Sequence, residues 1–65
     1  AFDMSHGSPF DRGGADAWYE RPPRPHMWPN GDHTKATENL TKEQVKQYLY
    51  GFKIVHDSGA RKEWY

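Results

Sequence analysis

The sequence contains no cysteine, few branched aliphatic residues and no excess of charge of either sign. Without thiols it can form no disulfide scaffold, thiolate zinc site or cysteine nucleophile. No apolar run approaches the roughly 18 residues of a membrane-spanning helix, and no charged-then-apolar leader is present. We therefore expect a cytoplasmic protein with neither a membrane span nor a retained signal peptide. We also expect no enzyme, since 65 residues leave little room for a substrate pocket beside a core.

Aromatic residues outnumber the branched aliphatic residues in this sequence. Two leucines, two valines and one isoleucine stand against ten Phe, Trp and Tyr residues. Because each aromatic side chain can bury about 150–250 Å², we expect one small core built from aromatic rings. A core of this size is marginal, and such chains often complete their burial on a partner or by self-association.

Residues 41–58 carry the strongest helix signal. A capping box, Thr41-Lys42-Glu43-Gln44, opens the segment, and Leu40 with Val45 forms the matching hydrophobic staple. Gly59 has the position of a helix terminator. Apolar and aromatic residues recur on one face at helical spacing. They are Val45, Tyr48, Leu49, Phe52, Val55 and His56.

A second helix is predicted over residues 8–21. Ser8 can cap its first turn, and Pro9 suits the first helical position. The negative charge of Asp11 lies in the first turn, where it interacts favourably with the helix dipole. One face carries mostly small side chains, from Phe10, Gly13, Gly14 and Ala17, with Trp18 beside it. Two adjacent glycines cost about 2 kcal/mol relative to alanines, which indicates that a neighbour approaches closely. The other helix is the favoured neighbour, and a different macromolecule is the alternative.

The intervening residues 22–40 form a proline-rich linker. Proline fixes φ and cannot continue a helix, so the segment is predicted to be stiff and extended up to the Asn30-Gly31 turn. Its Arg-Pro-Pro-Arg-Pro run resembles a ligand of SH3-type grooves. The favoured interpretation is an internal strut packed over Trp18, Tyr19 or Tyr50.

These elements predict an all-α fold, a small two-helix hairpin with a stiff Pro-rich linker and irregular termini. It forms a single domain over residues 1–65, with an arm at 1–7 and a tail at 59–65. The expected core residues are Val45, Leu49, Phe52, Phe10, Ala17 and Trp18.

No arrangement of residues predicts catalysis, a cofactor or a metal site. His26 and His33 share the linker with Asp32, but they lack the spacing of a dedicated metal site. His56, on the apolar stripe, is expected to be half-buried and hydrogen-bonded. The two aspartates of the first helix, Asp11 and Asp16, are five residues apart and do not share a face.

Basic and aromatic residues alternate in the linker and in the tail, a pattern typical of phosphate pairing and base stacking. The overall neutral charge opposes nucleic-acid binding, since such domains are usually basic. Tyr50 and Ile54 project from a different side of the second helix and offer a further contact surface. The candidate binding residues are Arg21, Arg24, His26, Trp28, Tyr50, Ile54, Arg61 and Trp64.

Two resemblances extend this interpretation. The stretch from Arg12 to Pro22, followed by Pro25-His26 and then Tyr50-Gly51-Phe52, resembles small uncharacterised proteins of tailed bacteriophages. More distantly, the Gly14-to-Ala17 step, the proline connector and the segment from Tyr48 to Lys53 resemble ribosome modulation factor. That family has two helices and binds the ribosome during hibernation. It is strongly basic, whereas this chain is neutral.

The leading hypothesis is a non-enzymatic binding module, a phage or bacterial accessory protein that docks on a larger host assembly and modulates it. The resemblance favours the ribosome, and hence a ribonucleoprotein partner with RNA contact. One alternative is a protein-directed inhibitor of a host enzyme or defence factor. Another is a small structural subunit of a virion or other assembly, with self-association completing the core.

Overall fold

The computed structural model describes residues 4–59, and in this range the chain forms two α-helices packed against each other. Helix α1 spans Pro9–Trp18 and helix α2 spans Lys42–Ser58. Between them lie two short 3-10 turns, Pro29–Gly31 and His33–Lys35. The described residues contain no strand, and their only ladder pairing is one antiparallel bridge between Met27 and Thr37. The predicted all-α hairpin is confirmed.

Neither α-helix of the described range combines the length and apolar character that crossing a membrane requires.

The beginning of α1 is as predicted. The Ser8 hydroxyl accepts a hydrogen bond from the Asp11 N–H at 3.2 Å, and Pro9 occupies the first turn. The Asp11 carboxylate in turn accepts the N–H of Gly7 at 3.0 Å. Residues just before the helix are therefore fixed by the same two side chains that cap it.

The end of α1 lies three residues before the predicted one, at Trp18. Glu20 adopts a left-handed conformation with φ 57°. Its N–H donates to Ala17 O at 3.1 Å, and the Arg21 N–H donates to Asp16 O at 2.8 Å, which is the Schellman pattern. Proline restricts the preceding residue to extended backbone, so the chain reverses before Arg21 is reached.

The helices meet at two glycines whose missing side chains let the backbones touch. A Cβ at Gly13 would lie 2.0 Å from the carbonyl oxygen of Tyr48, and one at Gly51 would lie 2.3 Å from that of Phe10. The predicted close packing of the second helix on the glycine face is therefore confirmed. Gly14 differs, since its Cβ would lie 3.4 Å from Val55 Cγ2 and 3.8 Å from the Gly51 carbonyl oxygen, distances of ordinary van der Waals contact.

The core is smaller than predicted and is centred on Tyr48, which is fully buried, with Ala17 beside it. Leu49 and Trp18 were expected inside but are 45% and 41% exposed. Successive residues of a helix point 100° apart, so burial of Tyr48 directs Leu49 toward the side of α2. Trp18 is the last residue of α1, at the edge of the contact between the helices. Three expected core residues, Phe10, Val45 and Phe52, are half-buried.

Both ends of α2 match the sequence prediction. The Thr41 hydroxyl accepts the Gln44 N–H at 3.1 Å, and the Gln44 side chain accepts the Thr41 N–H at 2.9 Å, which completes the capping box. Gly59 ends the helix with φ 75°. The expected half-burial of His56 was wrong, because its side chain is 71% exposed; its ring stacks on Phe52 and its Nδ1 lies 3.6 Å from Asp57 Oδ1.

The two neighbouring glycines of α1 provide a matched test of this contact. We expect Gly13→Ala to lower the free energy of unfolding by about 1–3 kcal/mol, because the new methyl group forces two backbones apart. Gly14→Ala should leave it unchanged or raise it by up to about 1 kcal/mol, through better helix propensity alone. Urea denaturation of both variants measures the difference, and equal effects would contradict the backbone contact.

Candidate functional site

A single buried hydroxyl joins both helices to the linker. Tyr48, on α2, donates a hydrogen bond to Asp16 Oδ2 on α1. The Tyr48 hydroxyl oxygen in turn accepts a hydrogen bond from the backbone N–H of Arg24, in the linker, at 2.9 Å. The proline-rich segment is thus an internal strut, and its anchor is Tyr48. The three aromatics expected in this role, Trp18, Tyr19 and Tyr50, are 41–51% exposed.

Asp16 is a buried carboxylate with a partner on each oxygen. It is 4% exposed, and its Oδ1 accepts a hydrogen bond from Arg21 Nε at 2.9 Å. Oδ2 accepts the Tyr48 hydroxyl and lies 3.7 Å from His26 Nδ1. Arg21 therefore compensates a charge that would otherwise be costly to bury.

The environment of Tyr48 opposes its ionisation. Burial and the hydrogen bond to Asp16 raise the pKa of Tyr48 to about 12, and the Arg24 N–H and the Arg12 charge offset only part of this. The hydroxyl therefore stays protonated and continues to donate to Asp16 throughout the physiological pH range.

A second set of contacts surrounds Trp28. The Arg12 guanidinium lies over the Trp28 ring, 3.7 Å from its centroid, and Arg12 Nε donates to His26 Nε2 at 3.3 Å. Two further histidines, His6 and His33, meet the indole edge-on with ring centroids at 5.6 and 5.8 Å. We call Trp28, Arg12, His6 and His33 the tryptophan cage.

The arm before α1 is held by the same tryptophan. The backbone N–H of Trp28 donates a hydrogen bond to the carbonyl oxygen of Gly7 at 2.8 Å. A Cβ at Gly7, where φ is 88°, would lie 2.6 Å from Trp28 O. The cage therefore joins the arm, α1 and the linker by close backbone contact as well as by its rings.

The His26 tautomer follows from its partners. Because a guanidinium can only donate hydrogen bonds, His26 Nε2 must carry a lone pair. The ring proton is then on Nδ1, which donates to Arg24 O at 2.7 Å. His26 thus links the cage to the strut at Arg24.

Of the six predicted binding residues that the structure describes, three come together in one groove. Arg24, His26 and Trp28 line one open groove of about 460 Å³ with Ala36, Thr37 and Glu38. Arg21 lines a different groove, of about 500 Å³, between the prolines and α2. Tyr50 and Ile54 are on α2, 51% and 42% exposed. The last two, Arg61 and Trp64, lie outside the described residues.

Every arginine within residues 4–59 is paired inside the protein. Arg12 contacts Trp28 and His26, Arg21 binds Asp16, and Arg24 pairs with Glu38. Within the linker, Arg21 compensates the buried Asp16 charge, whereas the exposed Arg24–Glu38 pair contributes little to stability.

Sequence reasoning missed Asp16, Tyr48 and Arg12 as members of this network. The available signals were an acidic residue on a helix next to a small-residue face and a tyrosine on an inward stripe. Neither pattern shows that Tyr48 and Asp16, 32 residues apart in the chain, form a hydrogen bond.

Within the described range, no group of three or more His, Asp and Glu side chains is placed to hold a metal ion. Comparison of the chain with models of protein families, with curated proteins and with solved structures gives no significant match.

Removing the central hydroxyl should weaken the fold and release the strut. We expect Tyr48→Phe to lower the free energy of unfolding by about 1–3 kcal/mol, because Asp16 loses a donor and the Arg24 N–H loses its acceptor. Tyr19→Phe, at an exposed ring, is the matched control and should change little. Urea denaturation gives the energies, and faster amide exchange at Arg24 would identify the strut. Equal stability of the two variants would contradict the anchor.

Alkaline pH should weaken the same contact. Since the folded state holds the Tyr48 pKa at about 12 and an unfolded tyrosine ionises near about pH 10, the added stability is complete below pH 10. It is lost progressively as pH rises from about 10 to 12. We expect the unfolding free energy of the wild type to fall faster over this range than that of Tyr48→Phe. Parallel curves would exclude the predicted ionisation.

Proposed function

We propose that this protein is a non-enzymatic binding module that docks on a larger host assembly through a protein-to-protein contact and modulates that assembly. The observation that carries the proposal is the pair of apolar side chains displayed on α2. Tyr50 and Ile54 are 51% and 42% exposed and lie four residues apart, so they are neighbours on one face of the helix.

The surroundings of this pair have the anatomy of a protein interface. Next to Tyr50 lies a shallow depression of about 460 Å³ bordered by Glu43, Lys46 and Gln47. An apolar centre with a mixed polar rim is typical of protein interfaces, and tyrosine is among the residues that contribute most to binding.

The charges favour a protein contact over a phosphate contact. The net charge is zero, and the described arginines are engaged by Asp16, by Glu38 and by the tryptophan cage. Phosphate binding by Arg21 would compete with the buried Asp16 carboxylate, and binding by Arg12 would remove it from Trp28. The exposed Arg24–Glu38 pair, in contrast, offers little resistance. Nucleic-acid-binding domains usually present unpaired basic residues.

The resemblance to ribosome modulation factor makes the ribosome the first assembly to test. An inhibitor of a host enzyme or defence factor would use the same face on a different partner. A virion subunit would use it on copies of itself or on a neighbouring subunit.

Affinity capture from bacterial lysate, with and without nuclease, tests the proposal. We expect Tyr50→Ser/Ile54→Ser to reduce capture about 30-fold, the loss that corresponds to about 2 kcal/mol at an interface hot spot. Leu49→Ser, exposed on another side of α2, is the control and should retain capture. Capture should also survive nuclease.

The outcomes distinguish the partners. Ribosomal subunits, one other protein, or only copies of the chain would indicate the ribosome, an inhibited target or a self-assembling subunit. Capture that nuclease abolishes, or that falls with Arg24→Ala while the double variant binds normally, would overturn the protein contact.

A further inference from the structure

We propose that Arg12 and His26 form a pH-responsive latch over Trp28, in which protonation of His26 releases Arg12 and uncovers one face of the indole. The latch depends on one hydrogen bond whose donor and acceptor are fixed. Arg12 Nε donates to His26 Nε2 at 3.3 Å while its guanidinium covers the Trp28 ring at 3.7 Å. Because arginine has no acceptor, this arrangement exists only while His26 Nε2 is unprotonated.

Protonation of His26 would place two donors and two positive charges opposite each other. At 3.3 Å the hydrogen bond is replaced by repulsion. The His26 ring is expected to keep its position. Its Nδ1–H retains the hydrogen bond to Arg24 O at 2.7 Å, and Nδ1 lies 3.7 Å from the Asp16 carboxylate. Arg12, on the surface of α1, is therefore the group that moves.

The other groups around His26 leave this balance in place. From α1, Asp16 faces Nδ1, and it is already bound by Arg21 and by the Tyr48 hydroxyl. From α2, the Tyr48 ring lies 5.7 Å away and remains neutral. In the linker, the Arg24 guanidinium pairs with Glu38. Among these described neighbours, the cation that contacts Nε2 is Arg12.

The two other histidines of the tryptophan cage act in the same direction. His6 and His33 contact the Trp28 ring from its edges, with Asp11 3.9 Å from His6 and Asp32 preceding His33 in the chain. Their protonation adds positive charge near Arg12 but does not remove its hydrogen bond, so the test must separate them from His26.

Release of Arg12 would change the accessible surface of Trp28, the residue it now covers. With the guanidinium in place, the indole face is covered by a cation. After its departure, that face of the indole becomes accessible, next to a His26 ring that then carries a positive charge. The latch thus exposes an aromatic surface beside a cation under acidic conditions.

Fluorescence of Trp28 tests the latch directly. In a Trp18→Phe/Trp64→Phe background, Trp28 is the single tryptophan, and its quenching by acrylamide reports access to the ring. Between about pH 8 and pH 5, where histidines in general change charge, we expect the quenching constant to rise roughly twofold, as one of two ring faces is uncovered. Far-UV circular dichroism over the same range should show both helices retained.

Substitutions in this background identify the responsible group. His26→Gln offers Arg12 an acceptor that does not titrate, so quenching should stay low at every pH. Arg12→Met has no charge to expel, so its quenching should be independent of pH. His6→Gln and His33→Gln should keep the wild-type transition.

Several results would overturn the latch. They are a flat pH profile in the parent, a transition that persists in His26→Gln or in Arg12→Met, and a transition lost in His6→Gln or His33→Gln. Loss of helical signal at the same midpoint would also overturn it, by showing unfolding in place of local release. If His26→Gln does not fold, Arg12→Met still decides the question.

Discussion

Backbone contact at Gly13 and Gly51 sets the distance between the two helices. That distance determines which hydrogen bonds the neighbouring side chains can form between them. With the Tyr48 carbonyl where a Cβ of residue 13 would stand, the Tyr48 side chain lies across α1 and its hydroxyl meets Asp16. A larger separation would place this hydroxyl out of hydrogen-bonding range. The strut would then lose its anchor, because the Arg24 N–H binds the same oxygen.

This chain uses hydrogen bonds where a larger domain would use aliphatic packing. Among the described residues, the one fully buried large side chain is a tyrosine, and the buried residue bonded to it is an aspartate. Buried polar groups stabilise a fold only when each finds a partner. Within residues 4–59 no buried side-chain nitrogen or oxygen lacks one. Such a network specifies one arrangement of the linker, since apolar contacts alone tolerate many.

Local signals predicted the parts of the fold that depend on neighbouring residues. Ser8, Thr41 with Gln44, and Gly59 act within one helical turn, and the glycines of α1 indicated close approach because they are costly in a helix. The end of α1 was missed because a glutamate, not a glycine, takes the left-handed position at residue 20. Proline at 22 indicated only where the helix could no longer continue.

The core and the candidate site depended on long-range geometry that no local pattern encodes. Tyr48 and Leu49 both lie on the apolar stripe, and hydropathy favours burying the leucine. The tyrosine is inside because Asp16 and Arg24 satisfy its hydroxyl. The linker arginines were assigned to an external partner because their pattern suits phosphates. Their internal partners, Asp16 and Glu38, are 5 and 14 residues away, and only the folded chain brings them together.

The bridge between Met27 and Thr37 closes the base of the loop that holds both 3-10 turns, with paired hydrogen bonds of 3.0 Å in each direction. Residues 34–36, on the Thr37 side of this loop, are exposed and belong to neither α-helix. Lengthening a loop whose ends are already joined costs little, about 0.6 kcal/mol for a doubling. An insertion between Thr34 and Ala36 would therefore alter the 3-10 turn His33–Lys35 but leave both α-helices in place, which makes this segment a natural place for a peptide tag.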